Sequence, residues 1–188
     1  MIGSAHAVAR RGRRPQTQLS PEALADRDDR GTPPELFGYA LERWGPFTVD
    51  VAASARNAKC RRFYTKATNG LLQPWDDERA WGNVPFSDPD PWVAKAWESR
   101  AIVAVLLLPA IRTEQPWWQD MVEPFRDRPG SRLITHFVRR RTRFLMPGAN
   151  PHQGNHRPSF GVVFVVLHRT VLAAQRDRGH AGAWRRPA

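Results

Sequence analysis

The sequence predicts an α/β fold, a mostly parallel sheet flanked by helices, and three observations carry that prediction. Helical and extended patterns alternate along the chain from residue 31 onward, the order from which parallel sheets are built. One extended run, AIVAVLLLPA at residues 101–110, is apolar without interruption, which suits a strand covered on both faces. Two polar residues, Asp50 and Asn83, fall where extended segments end, and sheets of this class place their sites beyond the carboxyl ends of the strands.

Each element has a local reason. In TPPELFGYALERWG, Thr32 is a candidate N-cap with Pro33 at the first helical position. Leu36, Phe37, Tyr39, Ala40, Leu41 and Trp44 supply apolar faces, and Gly45 stops the helix. FTVDVAA reads as a short strand ending at Asp50, and RRFYT as a second, shorter one. RAWGNVPF holds a strand that ends near Asn83. DPDPWVAKAWESR follows as a helix capped by Asp90, with Trp92, Val93, Ala96 and Trp97 at helical spacing. QPWWQDMVEPFRD predicts a short helix, and SRLITHFV and FGVVFVVLHR predict two further strands. Outside residues 31–170 the pattern fades. Residues 1–30 (ARRGRRP, ADRDDRG) read as a flexible basic arm and residues 171–188 as a basic tail. No internal repeat is visible.

Composition bounds the function. The formal net charge of +11 over 188 residues favours a polyanionic partner, either nucleic acid or an anionic surface. Only three of the 29 basic residues are lysines, a bias that the coding genome also produces. The single cysteine, Cys60, excludes an internal disulfide framework and a multi-cysteine zinc site, and fits a reducing cytoplasm. No apolar run approaches a membrane span, and no signal-peptide core follows the N-terminal charges. His152 and His156 lack a third ligand at suitable spacing, so no metal is expected.

Asn83 stands beside a proline bend and an aromatic, in the stretch AWGNVPFS. As a local pattern this is an ordinary turn next to a core ring. Its place at a strand end makes it equally the rim of a site. From Arg126 to Arg143 there are seven arginines against one acid, Asp127, and a long Gly/Pro/Asn/His loop follows. Such a loop is either a solvated connection or a binding surface.

The chain resembles the phage-type DNA N6-adenine methyltransferases, Dam-like and dependent on S-adenosylmethionine. The resemblance covers about residues 31–168 in six blocks: TPPELF, FTVDVAASARNAKCRRFY, GLLQPWDDERAWGNVPFSDPDPWVAKA, VLLLPAIRTEQPWW, FVRRRTRF and RPSFGVVFVVL. It implies a Rossmann-like methyltransferase fold of reduced size. It also implies methyl transfer from S-adenosylmethionine, without a metal, to the N6 amine of an adenine flipped out of double-stranded DNA. The tetrapeptide Asn83-Val84-Pro85-Phe86 then corresponds to the family's catalytic Asn-Pro-Pro-Tyr type. Asn83 and the Val84 carbonyl accept the amine's hydrogens, and Phe86 stacks on the base. Valine replaces a proline there, and phenylalanine a tyrosine. On the cofactor side the resemblance points to Thr32, Pro33, Asp50, Ala52 and Trp75. The alternatives are a helix cap for Asp50 and a core position for Trp75. Arg139, Arg140, Arg141 and Arg143 would contact phosphates, while Gln153 and Asn155 would meet base edges. A non-catalytic DNA-binding relative and a methyltransferase of RNA or protein are the competing functions. The recognition sequence and oligomeric state are not encoded in any motif.

Overall fold

In the computed structural model, residues 28–145 and 160–170 are described. They form a five-stranded sheet with helices on both faces. The elements in chain order are α1 (Pro34–Trp44), β1 (Val49–Asp50), a single 3-10 turn (Gly70–Leu72), β2 (Arg79–Asn83), α2 (Asp90–Glu98), β3 (Val103–Pro109), α3 (Pro116–Met121), β4 (Leu133–Phe137) and β5 (Val162–His168). The sheet order is β1-β2-β3-β5-β4. β1 and β2 pair in parallel, as do β2 and β3, whereas β5 runs antiparallel to both of its neighbours.

The sheet is therefore mixed, which corrects the expectation of a mostly parallel one. The apolar run of β3 signals two covered faces, and it has them: all seven residues are buried. Two covered faces, however, do not fix the direction of the next strand. β3 joins β2 in parallel register on one edge (Asn83 opposite Leu107) and β5 in antiparallel register on the other (Leu106 opposite Val165).

Period-two alternation divides the core between the faces. Ala104, Leu106 and Leu108 of β3, with Val163, Val165 and Leu167 of β5, pack with Trp92, Val93 and Ala96 of α2 and Trp117 and Trp118 of α3. Val103, Val105 and Leu107, with Val162, Phe164 and Val166, pack on the other face with Leu36, Ala40 and Trp44 of α1. Each such large apolar side chain contributes about 1.5–3 kcal/mol when taken from water.

Helix boundaries shift slightly from the expected ones. Pro33, not Thr32, is the N-cap of α1, and Pro34 takes the first helical position; Thr32 is buried just outside the helix. Pro89 caps α2, and Asp90 is its first residue. In both cases tandem prolines or a Pro-Asp-Pro run offer two registers for the same start signal. At the other end of α1, Gly45 ends the helix as expected. Arg79 of β2 reaches across to the carbonyls of Trp44 (2.5 Å), Gly45 (2.9 Å) and Pro46 (2.8 Å), so a cation satisfies the acceptors the helix end leaves over. The RRFYT segment forms only an isolated parallel bridge, Asp50 to Phe63. The PWW helix stops at Met121, short of the expected length.

Gly70 packs its backbone directly against the residue that follows β1. A Cβ there would lie 2.0 Å from the Val51 carbonyl oxygen, and the Gly70 carbonyl accepts the Trp75 indole N–H at 2.9 Å. Gly70→Ala must push apart two backbone segments in the core, and it should cost about 3 kcal/mol or more of folding stability. Urea unfolding of the parent and the variant measures this, and an unchanged midpoint would show that the segments separate freely.

Candidate active site

The parallel register of β1 and β2 sets the site. Asp50, the last residue of β1, lies opposite Trp81, and Asn83 follows two residues on at the end of β2. Both polar residues thus emerge at the same carboxyl edge. Gly82 makes the approach possible: a Cβ on it would meet Val51 Cγ2 at 2.8 Å and Val84 Cγ1 at 3.0 Å.

Asn83 donates through Nδ2 to the Arg30 carbonyl at 2.6 Å. A carbonyl only accepts, so this contact fixes the orientation of the amide. The NH2 faces Arg30, and Oδ1 is left as an acceptor with no partner among the described residues. Val84 is buried under the bend, and Pro85 and Phe86 are half-buried. The Phe86 ring meets Phe144 edge-on (5.6 Å, 88°) and Phe160 at a tilt (6.1 Å). Asp28, Arg30, Asn83, Val84, Phe86 and Phe144 line one recess of about 10 Å³, room for about one water.

The Asp50 carboxylate turns inward. Its Oδ1 accepts from Ala52 N–H at 3.3 Å and its Oδ2 from Lys59 N–H at 2.9 Å, and it is 2 % exposed. Burial pushes its pKa up to about 6, against the two amides and the nearby Lys59 charge, which pull it down. Asp50 thus ties together the ends of the loop 52–59. In that loop, the buried Ser54 hydroxyl has no hydrogen-bond partner among the described residues. Lys59, its pKa lowered mainly by burial, sits over the Phe37 ring at 5.8 Å. The Cys60 thiol is pushed up to about 12 by burial and then by the Asp50 charge, and it packs against the core on the face of α1.

Of the other predicted residues, Thr32 and Pro33 stand at the entrance to α1. Trp75 is fully buried, with its ring stacked at 6.3 Å on Trp92, so its surface is spent in the core. The arginine run splits in two. Arg126 is held by Glu123 (2.9 Å) and Asp127 (3.1 Å), and Arg132 lies over the Trp97 ring at 4.8 Å. Arg139, Arg140, Arg141 and Arg143 are exposed and form no ion pair among the described residues. Thr142 turns inward between Arg141 and Arg143, and Phe144 turns inward directly after them, so the run of charges ends at the ring that lines the recess. Gln153 and Asn155 lie outside the described residues.

Sequence reasoning passed over Asp28, Arg30 and Phe144. The first two belong to a segment expected to be part of a mobile arm, DRDDRG, where no periodicity marks a contact. Phe144 carried a legible signal in the alternation of RTRF. Among the described residues no three His, Cys, Asp or Glu side chains converge as a metal site, and no helix is long and apolar enough to cross a membrane.

Residues 20–174 match the family model described as DNA N-6-adenine-methyltransferase (Dam). The chain belongs to that family. A DNA N-6-adenine-methyltransferase of Escherichia phage T1 is 40% identical over 88 residues, 46% of this chain and 36% of that protein. One from Haemophilus phage HP1 is 34% identical over 73 residues, 38% of this chain and 42% of that protein. The putative methyltransferase YfdM of Escherichia coli K12 is 32% identical over 71 residues, 35% of this chain and 74% of that protein. The chain thus spans about two fifths of the length of the two phage Dam relatives it matches.

The buried Asp50 gives a prediction with a definite sign. Its pKa rises from 3.8 to about 6 on folding, so the fold binds its proton more tightly than the unfolded chain does. The resulting stability is complete below about pH 4 and is lost as pH rises through about 6, a change of about 3 kcal/mol. In urea unfolding between those pH values, the stability of the parent relative to that of the non-titrating Asp50→Asn should fall by that amount as pH rises. A constant difference would mean that the two amides keep the carboxylate ionised throughout.

Proposed function

We propose that this chain transfers a methyl group from S-adenosylmethionine to the N6 amine of an adenine flipped out of double-stranded DNA. The observation that carries the reading is the orientation of Asn83. Its NH2 is engaged by the Arg30 carbonyl at 2.6 Å, and its oxygen is left to accept at the rim of a recess walled by Phe86.

The amine of adenine is a weak nucleophile because its lone pair is delocalised into the ring. An acceptor that takes its hydrogens directs that lone pair outward. Asn83 Oδ1 is one such acceptor, and the Val84 carbonyl at the rigid Pro85 bend is the second. Holding the nitrogen in line in this way is worth several kcal/mol through positioning alone. Phe86 offers a face to replace the stacking that a flipped base loses. A recess with room for about one water does not admit a base, so the walls supplied by Asp28, Arg30 and Phe144 have to move apart as the adenine enters.

S-adenosylmethionine supplies an electrophilic methyl carried on a sulfonium. The residues at the β1 edge suit its polar groups. The Ser54 hydroxyl, without a hydrogen-bond partner among the described residues, and the small side chains of Ala52 and Ala53 leave a polar group and room for a ligand, and Thr32 and Pro33 lie at the start of α1. Asp50 acts by holding this loop in shape through Ala52 and Lys59, and Trp75 supports it from the core. Arg139, Arg140, Arg141 and Arg143 take the phosphates, with Gln153 and Asn155 facing base edges. A bacterial or phage-infected cytoplasm is the compartment this reading implies.

Asn83→Ala should lower turnover about 100-fold or more while leaving the affinity for S-adenosylmethionine unchanged. Methylation of an unmethylated duplex, followed by nucleoside analysis for N6-methyladenine, measures the first, and calorimetry the second. Parental rates in the variant would remove Asn83 from the chemistry. For DNA, each phosphate contact contributes about −0.9 to the slope of log affinity against log salt. Replacing Arg139, Arg140 and Arg141 together by alanine should flatten that slope by up to about three units on two unrelated duplexes alike. A parental slope would place the DNA surface elsewhere.

A further inference from the structure

We infer that Asp28 is a positioning residue for methyl transfer: its carboxylate fixes the backbone after Pro85, and so sets where the Val84 carbonyl and the Phe86 ring stand. The inference rests on the reading of Asn83-Val84-Pro85-Phe86 as the amine-binding tetrapeptide. It goes beyond that reading by assigning a role to a residue 55 positions earlier in the chain than Asn83.

The contacts are specific. Asp28 Oδ1 accepts from the backbone N–H of Phe86 at 3.1 Å and of Ser87 at 3.3 Å, and Oδ2 accepts from Ser87 Oγ at 2.5 Å. Pro85 has no N–H to give, so Phe86 and Ser87 are the first two amides after the bend, and a single carboxylate takes both. Hydrogen bonds to an ionised acceptor are about twice as strong as neutral ones. Without Asp28 these amides turn to water, and the bend, which has valine before its proline, loses its external support.

The neighbouring residues extend the clamp. The Arg30 carbonyl orients the Asn83 amide. Asp29 Oδ1 accepts from Asn57 Nδ2 at 3.1 Å, reaching the loop that follows β1. Gly31 and Leu145 exchange two backbone hydrogen bonds, each 2.9 Å, next to Phe144, whose ring packs on Phe86. Residues 28–31 therefore form a strap that touches the amine-binding loop, the cofactor-side loop and the end of the arginine run. Asp28 holds its contact to the first of these.

The full-length chain tests this in three variants, Asp28→Ala, Asp28→Asn and Ser87→Ala, with Asn83→Ala as a reference. Asp28→Ala should lower kcat about 10- to 100-fold, with the Kd for S-adenosylmethionine and for duplex DNA within about twofold of the parent's. Asp28→Asn keeps one acceptor oxygen and should recover part of that loss. Ser87→Ala removes only the hydroxyl contact and should show a smaller fall. Hydrogen exchange supplies a readout independent of turnover: the amides of Phe86 and Ser87 should exchange faster in Asp28→Ala than in the parent, while those of β3 stay unchanged. Unchanged exchange at both amides would overturn the inference whether or not the chain methylates DNA. A variant with kcat equal to or above the parent's, in an assay where Asn83→Ala is inactive, would overturn it too, and would leave the strap as a cover over the recess. A parent that makes no N6-methyladenine would instead bring down the reading of the tetrapeptide, and the inferred role of Asp28 in transfer with it.

Discussion

The burial of β3 on both faces is the constraint on which the rest depends. Seven consecutive residues with no exposed side demand helices above and below. They also demand a partner strand on each edge, since an unpaired backbone there would carry orphaned N–H and C=O groups. β2 meets one of these needs, and its register against β3 runs without a break from Arg79 to Asn83. The position of Asn83 is thus inherited from the core: the amide stands where the last pair of the β2–β3 ladder leaves it. Arg79, at the opposite end of the same strand, closes the exposed end of α1. One short strand anchors structure at its start and presents the Asn83 amide at its finish.

Charge is handled differently on the two sides of the site. At the β1 edge a carboxylate is buried and satisfied by two amides, and a lysine stays half-buried against a ring. Beyond β4 the cations are left exposed, while those nearer the core are neutralised by Glu123 and Asp127 or laid on an indole. Six of the seven arginines close in sequence therefore fall into two groups: Arg126 and Arg132 brace α3 and the end of α2, and the four from Arg139 to Arg143 stay exposed, without an ion pair among the described residues.

Much of this was legible in the residues. The strand end at Asn83, the helix after it, the uninterrupted β3 and the stop at Gly45 all follow from local patterns that tertiary structure does not override. The direction of β5 was not legible, because an apolar run records that both faces are covered and is silent about the neighbour's polarity. RRFYT has strand-like composition, yet only one bridge forms, since β1 itself offers just Val49 and Asp50 for pairing. Trp75 illustrates a different limit: an aromatic near a site reads the same whether it faces a ligand or the core. The importance of Asp28 was hidden for a third reason. Two of its three contacts are to backbone amides 58 and 59 residues away, and amides leave no trace in side-chain pattern.

The two ring contacts of Phe86 join parts of the chain that the sequence keeps apart. Phe144 precedes residues 146–159, and Phe160 follows them, and both rings rest on Phe86. Two points of the chain 16 residues apart thus meet on one aromatic, and Leu145 is further stitched to Gly31. Phe86 is a keystone: one ring closes the wall of the recess and, in the same contact, draws together the end of the arginine run and the start of β5.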